Sequence, residues 1–273
     1  MNNWLLKIKN LQKTYDNKTY ALKGIDIELN KGEFVVVIGP SGAGKSTFIR
    51  CINRMIDPSE GEIVFDGVHM EKVKGKSLRQ QRSDIGMIFQ HYNLVGRVNV
   101  IKNVLHGRLG KMSFFKSALG LYGEEDKREA FKLLQKVGLE EHIYKRADSL
   151  SGGQMQRVGI CRAIVQQPKL LLADEPIASL DPKSADIVMD QLKEITTERN
   201  LTCIVNLHQV DYAKKYASRI IGIKDGMVVF NGAPSKLNNQ MIAHIYKGKE
   251  EQMTLTPQEE SLAYQEQEVS SYV

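Results

Sequence analysis

Nine consecutive residues, Gly39-Pro40-Ser41-Gly42-Ala43-Gly44-Lys45-Ser46-Thr47, have the types and spacing to hold a phosphate chain. The glycines let the backbone curl so that successive N–H groups point at phosphate oxygens. Lys45 adds a point charge for the outer phosphates, and Ser46 offers a hydroxyl to Mg²⁺. A second group, Leu170-Leu171-Leu172-Ala173-Asp174-Glu175, is an apolar run that ends in two carboxylates. Asp174 is the candidate for organising Mg²⁺, and Glu175 for orienting or deprotonating an attacking water. A third, Leu150-Ser151-Gly152-Gly153-Gln154, puts a good N-cap before two glycines. Bare N–H groups at that helix start make a second anion-binding surface. Two phosphate-binding helix ends far apart in one chain suggest a nucleotide shared between two copies.

These groups need elements to aim them. Glu33–Ile38 reads as a buried strand running into the phosphate loop, with a helix from Lys45 to about Met55 after it. Leu170–Ala173 and Cys203–Leu207 read as buried strands, with a helix over Lys183–Arg199 between them, and a helix runs from Gln154 to about Val165. Leu5–Lys9 and Ile25–Leu29 alternate like half-buried strands, and Gly61–Phe65 and Asp84–Phe89 are further strands. Asp225-Gly226 marks a hairpin between Ile220–Ile223 and Met227–Phe230. From His91 to Asp148 strand runs give way to helical spacing, clearest at Ala130, Phe131, Leu133, Leu134 and Val137.

The chain has 273 residues, enough for a sizeable core, and no apolar run approaches the ~18 residues a membrane span needs. The N-terminus does not read as a secretory signal. Cys51, Cys161 and Cys203 are scattered, which argues against a disulfide framework or zinc site and fits a reducing cytosol. The net charge of +6 conceals an asymmetry: six Glu and no Lys or Arg lie from Glu250 onward, so the body carries +12 and the tail −6. A solvated basic surface, nucleic acid, anionic headgroups or an acidic partner would each account for that excess.

Taken in order, the phosphate loop, Leu150–Gln154, Asp174-Glu175 and a downstream His208 resemble the ATP-binding subunits of ABC transporters over about residues 4–249. The resemblance implies an α/β fold: a P-loop NTPase (RecA-like) core with an N-terminal antiparallel β region and a helical insertion. It divides the chain into a core of residues 1–90 and 150–249, a helical subdomain of 91–149, and an acidic tail of 250–273. It also gives roles to residues that would otherwise be unremarkable. Gln90 matches the Q-loop glutamine that contacts Mg²⁺ or water and senses the membrane partner. His208 matches the switch histidine at the γ-phosphate, and Asp181 the D-loop that crosses the dimer. Tyr15 matches the aromatic stacked on adenine, with Tyr20 the nearby competitor. Ile177 departs from the commonest pattern, at a position with no catalytic role.

The resemblance further implies ATP and Mg²⁺ as cofactors, ATP hydrolysis as the reaction, and a head-to-tail homodimer with two ATP molecules sandwiched in it. Each ATP would touch Lys45, Ser46, Gln90, Asp174, Glu175 and His208 of one copy, and Ser151 and Gly153 of the other. Two integral membrane permease subunits would dock near residues 91–148, an extracytoplasmic substrate-binding protein would act through the permease, and no nucleic acid is expected. The chain would then sit peripherally on the cytoplasmic face of the cell membrane. Phe89–Val95, Asn103–Gly110 and Asp174–Pro182 resemble the phosphonate-importer branch. Polar amino acid importers share the compact length, and so do the soluble ABC ATPases of iron–sulfur assembly. The segment 91–148 is too short for the coiled coil of DNA-repair relatives, and the chain too short for the paired units of ribosomal ones.

Overall fold

A computed structural model describes residues 4–15 and 18–247; the acidic stretch 250–273 lies outside the described residues. Ten strands occur among them: β1 (Trp4–Thr14), β2 (Tyr20–Asn30), β3 (Phe34–Ile38), β4 (Glu60–Phe65), β5 (Val68–His69), β6 (Ile85–Ile88), β7 (Leu170–Asp174), β8 (Thr202–Asn206), β9 (Arg219–Lys224) and β10 (Met227–Gly232). They form a four-stranded antiparallel sheet, β2-β1-β4-β5, and a six-stranded sheet, β10-β9-β3-β8-β7-β6. In the second sheet β9, β3, β8, β7 and β6 run parallel, and β10 closes the edge as an antiparallel hairpin. Its turn is Asp225-Gly226, with φ of 50° and 81°.

The apolar runs explain the layering. β3, β7 and β8 are buried at every position, as strands covered on both faces must be. Their alternate residues divide between two cores. Phe34, Val36, Leu171, Ala173, Cys203 and Val205 face one, and Val35, Val37, Leu170, Leu172 and Ile204 the other. The second core also takes Leu6, Ile8, Ile25 and Ile27 from the antiparallel sheet and Phe48 and Ile49 from α1 (Lys45–Ile52). The first is closed by helices. Between α2 (Gly75–Arg82) and the end of the described residues these are α3 (Val100–Leu105), α5 (Glu124–Lys136), α6 (Gly152–Val165), α7 (Pro182–Glu198), α8 (Val210–Tyr216) and α9 (Asn239–Tyr246), with α4 (Phe114–Ala118) between α3 and α5 in the chain. Ala130, Leu133, Leu134 and Val137 pack into this core, as their helical spacing predicts. The three cysteines are unpaired and buried, and burial pushes the Cys51 and Cys161 thiols up to about 12.

Parallel pairing has one consequence for chemistry. The C-terminal ends of β3, β8, β7 and β6 lie side by side, so the loops that follow them open on one edge of the sheet. Those loops begin at Gly39, Leu207, Glu175 and Phe89.

Candidate active site

The loop after β3 enters α1 with Gly44 at φ 102°. A Cβ on Gly44 would stand 2.4 Å from the Ala21 carbonyl oxygen, and one on Gly39 (φ 152°) only 2.0 Å from that of Ile223. Only glycine meets both constraints. The loop wraps around Lys45, which is 4% exposed. Its Nζ donates to the carbonyls of Gly39 at 2.8 Å and Pro40 at 3.2 Å. Burial lowers the ammonium pKa, and the neighbouring charges of Glu175 and Asp174 oppose that shift.

Asp174 ends β7 in register with Asn206 of β8. Its Oδ1 accepts from Ser46 Oγ at 2.8 Å and Asn206 Nδ2 at 3.1 Å, and its Oδ2 from Arg50 at 3.1 Å. Asn206 is fully buried, and its Oδ1 has no hydrogen-bond partner among the described residues. The next residue, Glu175, lies in the left-handed region at φ 52°, sparsely populated for a residue with a side chain and common at functional sites. Its Oε1 accepts from His208 Nε2 at 2.6 Å. That hydrogen bond is the main reason its carboxyl titrates below the usual range; the positive charges of Lys45 and Arg50 reinforce it against burial. His208 is itself tied down by the Tyr246 hydroxyl of α9, which donates to its carbonyl at 3.1 Å.

Ser41, Gly42, Gly44, Lys45, Ser46, Thr47, Glu175 and His208 thus line one cleft of ≈ 290 Å³. Tyr15 stands at its edge, 41% exposed, with its hydroxyl 3.4 Å from Thr47 Oγ1 and Lys13 over its ring. Tyr20 is exposed with no contact to the loop described. Gln90 follows β6 on the same sheet edge but does not line the cleft.

The remaining candidates gather elsewhere. Ser151 caps α6 in a capping box with Gln154. Gly152 and Gly153 fill its first turn, and no hydrogen bond is described for either N–H. Asp181 caps α7, accepting from the Ser184 N–H at 3.0 Å. The two helix starts abut: a Cβ on Gly153 would lie 3.1 Å from Ser184 Cβ, and one on Gly152 3.5 Å from Leu180. The segment 175–181 therefore runs from the phosphate-loop cleft to the Ser151 end of α6. No described contact joins Ser151 or Gln154 to the cleft of their own chain.

Sequence reading missed Arg50, Asn206, Tyr246 and Arg162. Arg50 had a signal, since it lies four residues after Ser46 on one helix face. Arg162 had none. From α6 its guanidinium donates to the carbonyls of Tyr92 at 2.7 Å and Asn93 at 2.5 Å, clamping the loop after Gln90 to the helix that begins beside Ser151.

The profile of the ABC transporter family matches residues 22–178. The chain is 56% identical over 242 residues to the phosphonates import ATP-binding protein PhnC 2 of Oceanobacillus iheyensis, covering 89% of this chain and 95% of that one. It is 53% identical over 238 residues to the phosphonates import ATP-binding protein PhnC of Treponema denticola, covering 87% and 93%. Among solved structures it resembles the dimeric ATP-binding cassette MJ0796 bound to ADP and Pi, with a TM-score of 0.74 and 35% identity over 84% of this chain and 98% of that one. It also resembles the ADP conformation of the cassette MJ1267, with a TM-score of 0.78 and 27% identity over 91% and 100%. The chain thus belongs to the ABC transporter family as an ATP-binding cassette, and it is an ATPase.

Proposed function

We propose that this chain is the ATP-hydrolysing subunit of a phosphonate importer, working as a head-to-tail dimer on the cytoplasmic face of a membrane permease. The observation that carries the substrate class is the identity of 56% and 53%, over nearly the whole of each relative, to proteins named for phosphonate import. We take residues 1–90 and 150–249 as the ATP-binding core and 91–149 as the helical subdomain.

The cleft geometry supports the division of roles. The N–H groups of the Gly39–Thr47 loop bind the phosphates, Lys45 turns from the loop carbonyls to the outer phosphates, and Tyr15 stacks on the base. Ser46 Oγ and Asp174, 2.8 Å apart, are oxygen donors suited to Mg²⁺, with Gln90 a further candidate. The ion would offset phosphate charge. Glu175 accepts a proton from water as its oxygen bonds the γ-phosphorus and the bond to the β–γ bridging oxygen breaks, leaving ADP and phosphate. His208 holds Glu175 and donates to the γ-phosphate. Ser151, Gly152, Gly153 and Gln154, with Asp181, close on the nucleotide held by the other copy, so ATP joins the copies and hydrolysis parts them.

The helical insertion has a surface suited to a permease. Phe115, Leu119 and Leu121 are 79%, 72% and 58% exposed, beside a groove of ≈ 690 Å³ walled by Tyr122 and Phe131 and rimmed by Lys102, Arg128 and Lys132. A second groove of ≈ 520 Å³ lies beside Phe89, with Arg79, Arg82 and Arg162 around it. Exposed apolar side chains beside such grooves suit an interaction site. No helix among the described residues is long and apolar enough to cross a membrane, so permease subunits must supply the channel. A substrate-binding protein outside would deliver the phosphonate.

Uptake of labelled methylphosphonate tests the function. Cells lacking this subunit should regain uptake with the native chain and not with Glu175→Gln. Unchanged methylphosphonate uptake, alongside loss of polar amino acid uptake, would reassign the cargo.

A further inference from the structure

We propose that His142 is a positioning residue for the Ser151 end of α6, and so for the half-site that each copy offers its partner's nucleotide. The role rests on the shared-nucleotide reading above. His142 lies at the end of the single 3₁₀ turn Glu140–His142, twelve residues before Gln154. Its Nε2 is 3.2 Å from Gln154 Nε2. Gln154 in turn reaches back, and its Oε1 accepts from the Ser151 N–H at 2.9 Å.

Hydrogen-bond logic fixes which atom does what. The Ser151 N–H is a donor, so the amide atom facing it is the oxygen, and the atom facing His142 is the NH₂ group. An amide NH₂ only donates. His142 Nε2 must therefore present a lone pair, which puts the ring proton on Nδ1. That Nδ1 is buried with no partner among the described residues. The ring thus meets Gln154 as the Nδ1–H tautomer.

The tether matters because the other half of the capping box is weak. The Gln154 N–H stands 3.4 Å from Ser151 Oγ, near the limit of a hydrogen bond. The Ser151 carbonyl accepts from the Met155 N–H at 2.8 Å, so it is the Ser151 N–H side of the cap that depends on the Gln154 amide, and that amide on His142. Without an acceptor at position 142 the Gln154 amide loses one of its two anchors, and the Ser151 N–H side of the cap that leads into Gly152 and Gly153 is held less firmly. None of these residues lines the cleft that binds ATP in its own chain. The effect must therefore fall on dimer formation and spare ATP binding by the monomer.

The test uses the full chain carrying Glu175→Gln, which holds ATP unhydrolysed. Three versions are compared: that parent, the parent with His142→Phe, which keeps ring bulk and loses the acceptor, and the parent with His142→Gln, whose amide oxygen can accept. A fluorescent ATP analogue reports monomer affinity, and sedimentation with ATP over a range of protein concentrations reports the dimer. Monomer affinity should agree within about twofold across the three. The dimer dissociation constant should rise about tenfold with His142→Phe, as two half-sites each lose one hydrogen bond, and return to within about threefold of the parent with His142→Gln. If His142→Phe does not fold, His142→Ala replaces it, with the same expectations. Dimerisation of His142→Phe at the parent's concentration, or a His142→Gln chain as impaired as His142→Phe, overturns the role. A parent that stays monomeric with ATP overturns the shared-nucleotide reading instead, and this role with it.

Discussion

Lys45 and Asp174, proposed to meet the nucleotide and its ion, hold partners that the nucleotide would displace or share. The Lys45 ammonium sits on the carbonyls of Gly39 and Pro40, and the Asp174 carboxylate on Ser46, Asn206 and Arg50. These partners fix where both charged groups point. Hydrogen bonds to charged groups contribute about 1.5–3 kcal/mol, so Lys45→Ala should weaken ATP binding by roughly 10- to 100-fold with little change in the fold. Calorimetric titration checks this, and unchanged affinity would remove Lys45 from the site. Gly44→Ala puts a methyl group against the Ala21 carbonyl at a backbone angle alanine resists, and should cost about 1–3 kcal/mol of stability, read as a lower thermal midpoint. The phosphate loop, the paired carboxylates and Ser151 were legible because each is a local pattern with its own chemistry. Arg50, Asn206 and His142 were not, since they matter through partners up to 124 residues away that only the sheet register and helix packing bring close.

Helix α6 joins two of the proposed sites at its ends. Ser151 caps its N-terminus, and Arg162, near its C-terminus, clamps Tyr92 and Asn93 after Gln90. On the proposed reading, a shift of the Ser151 end is carried along α6 to the loop after Gln90. Arg162→Ala should leave ATP binding within about twofold and lower ATP-driven uptake far more than ATP hydrolysis by the isolated subunit; equal loss of both would place Arg162 in the chemistry. Helices α5 and α7 are joined by charge. Lys136 pairs with Glu194 at 3.1 Å and with Glu198, and Arg199 pairs with Glu129 at 2.6 Å. Hydrogen bonding to Glu198 raises the Lys136 pKa, and the same bond lowers that of Glu198. The lysine's contribution is lost as pH rises through its raised value, and the carboxylate's as pH falls through its lowered one. The seam thus stabilises between those limits. Lys136→Met should lower the thermal midpoint slightly near neutral pH in low salt, and not at all well below the carboxylate range or in about 1 M salt. Long elements were legible, and short ones less so. Helix α2 buries no residue and carries no apolar period, and α8 and α9 span only 7 and 8 residues. Strands β1 and β2 run to 11 residues each, beyond the alternating segments that predicted them, because pairing between them carries past the apolar pattern.

Across the molecule, the chain is, on the proposed reading, half of a machine. Its phosphate-loop cleft and its Ser151–Asp181 corner use different residues, and no described contact joins the corner to the cleft of its own chain. Each corner has an evident use only if it meets the cleft of another copy. The basic body accords with the same picture: +12 over residues 1–249 suits bound nucleotides and an anionic membrane face without invoking nucleic acid. The helical insertion turns exposed apolar side chains outward where a permease would cover them. Most of this architecture follows from the claim that ATP is shared between two copies, and the mass of the Glu175→Gln chain tests it most directly. By light scattering after gel filtration with ATP and Mg²⁺, the chain should run as a dimer of about twice 30.8 kDa and revert to monomer when nucleotide is removed. A monomer that binds ATP tightly yet never dimerises would contradict the account.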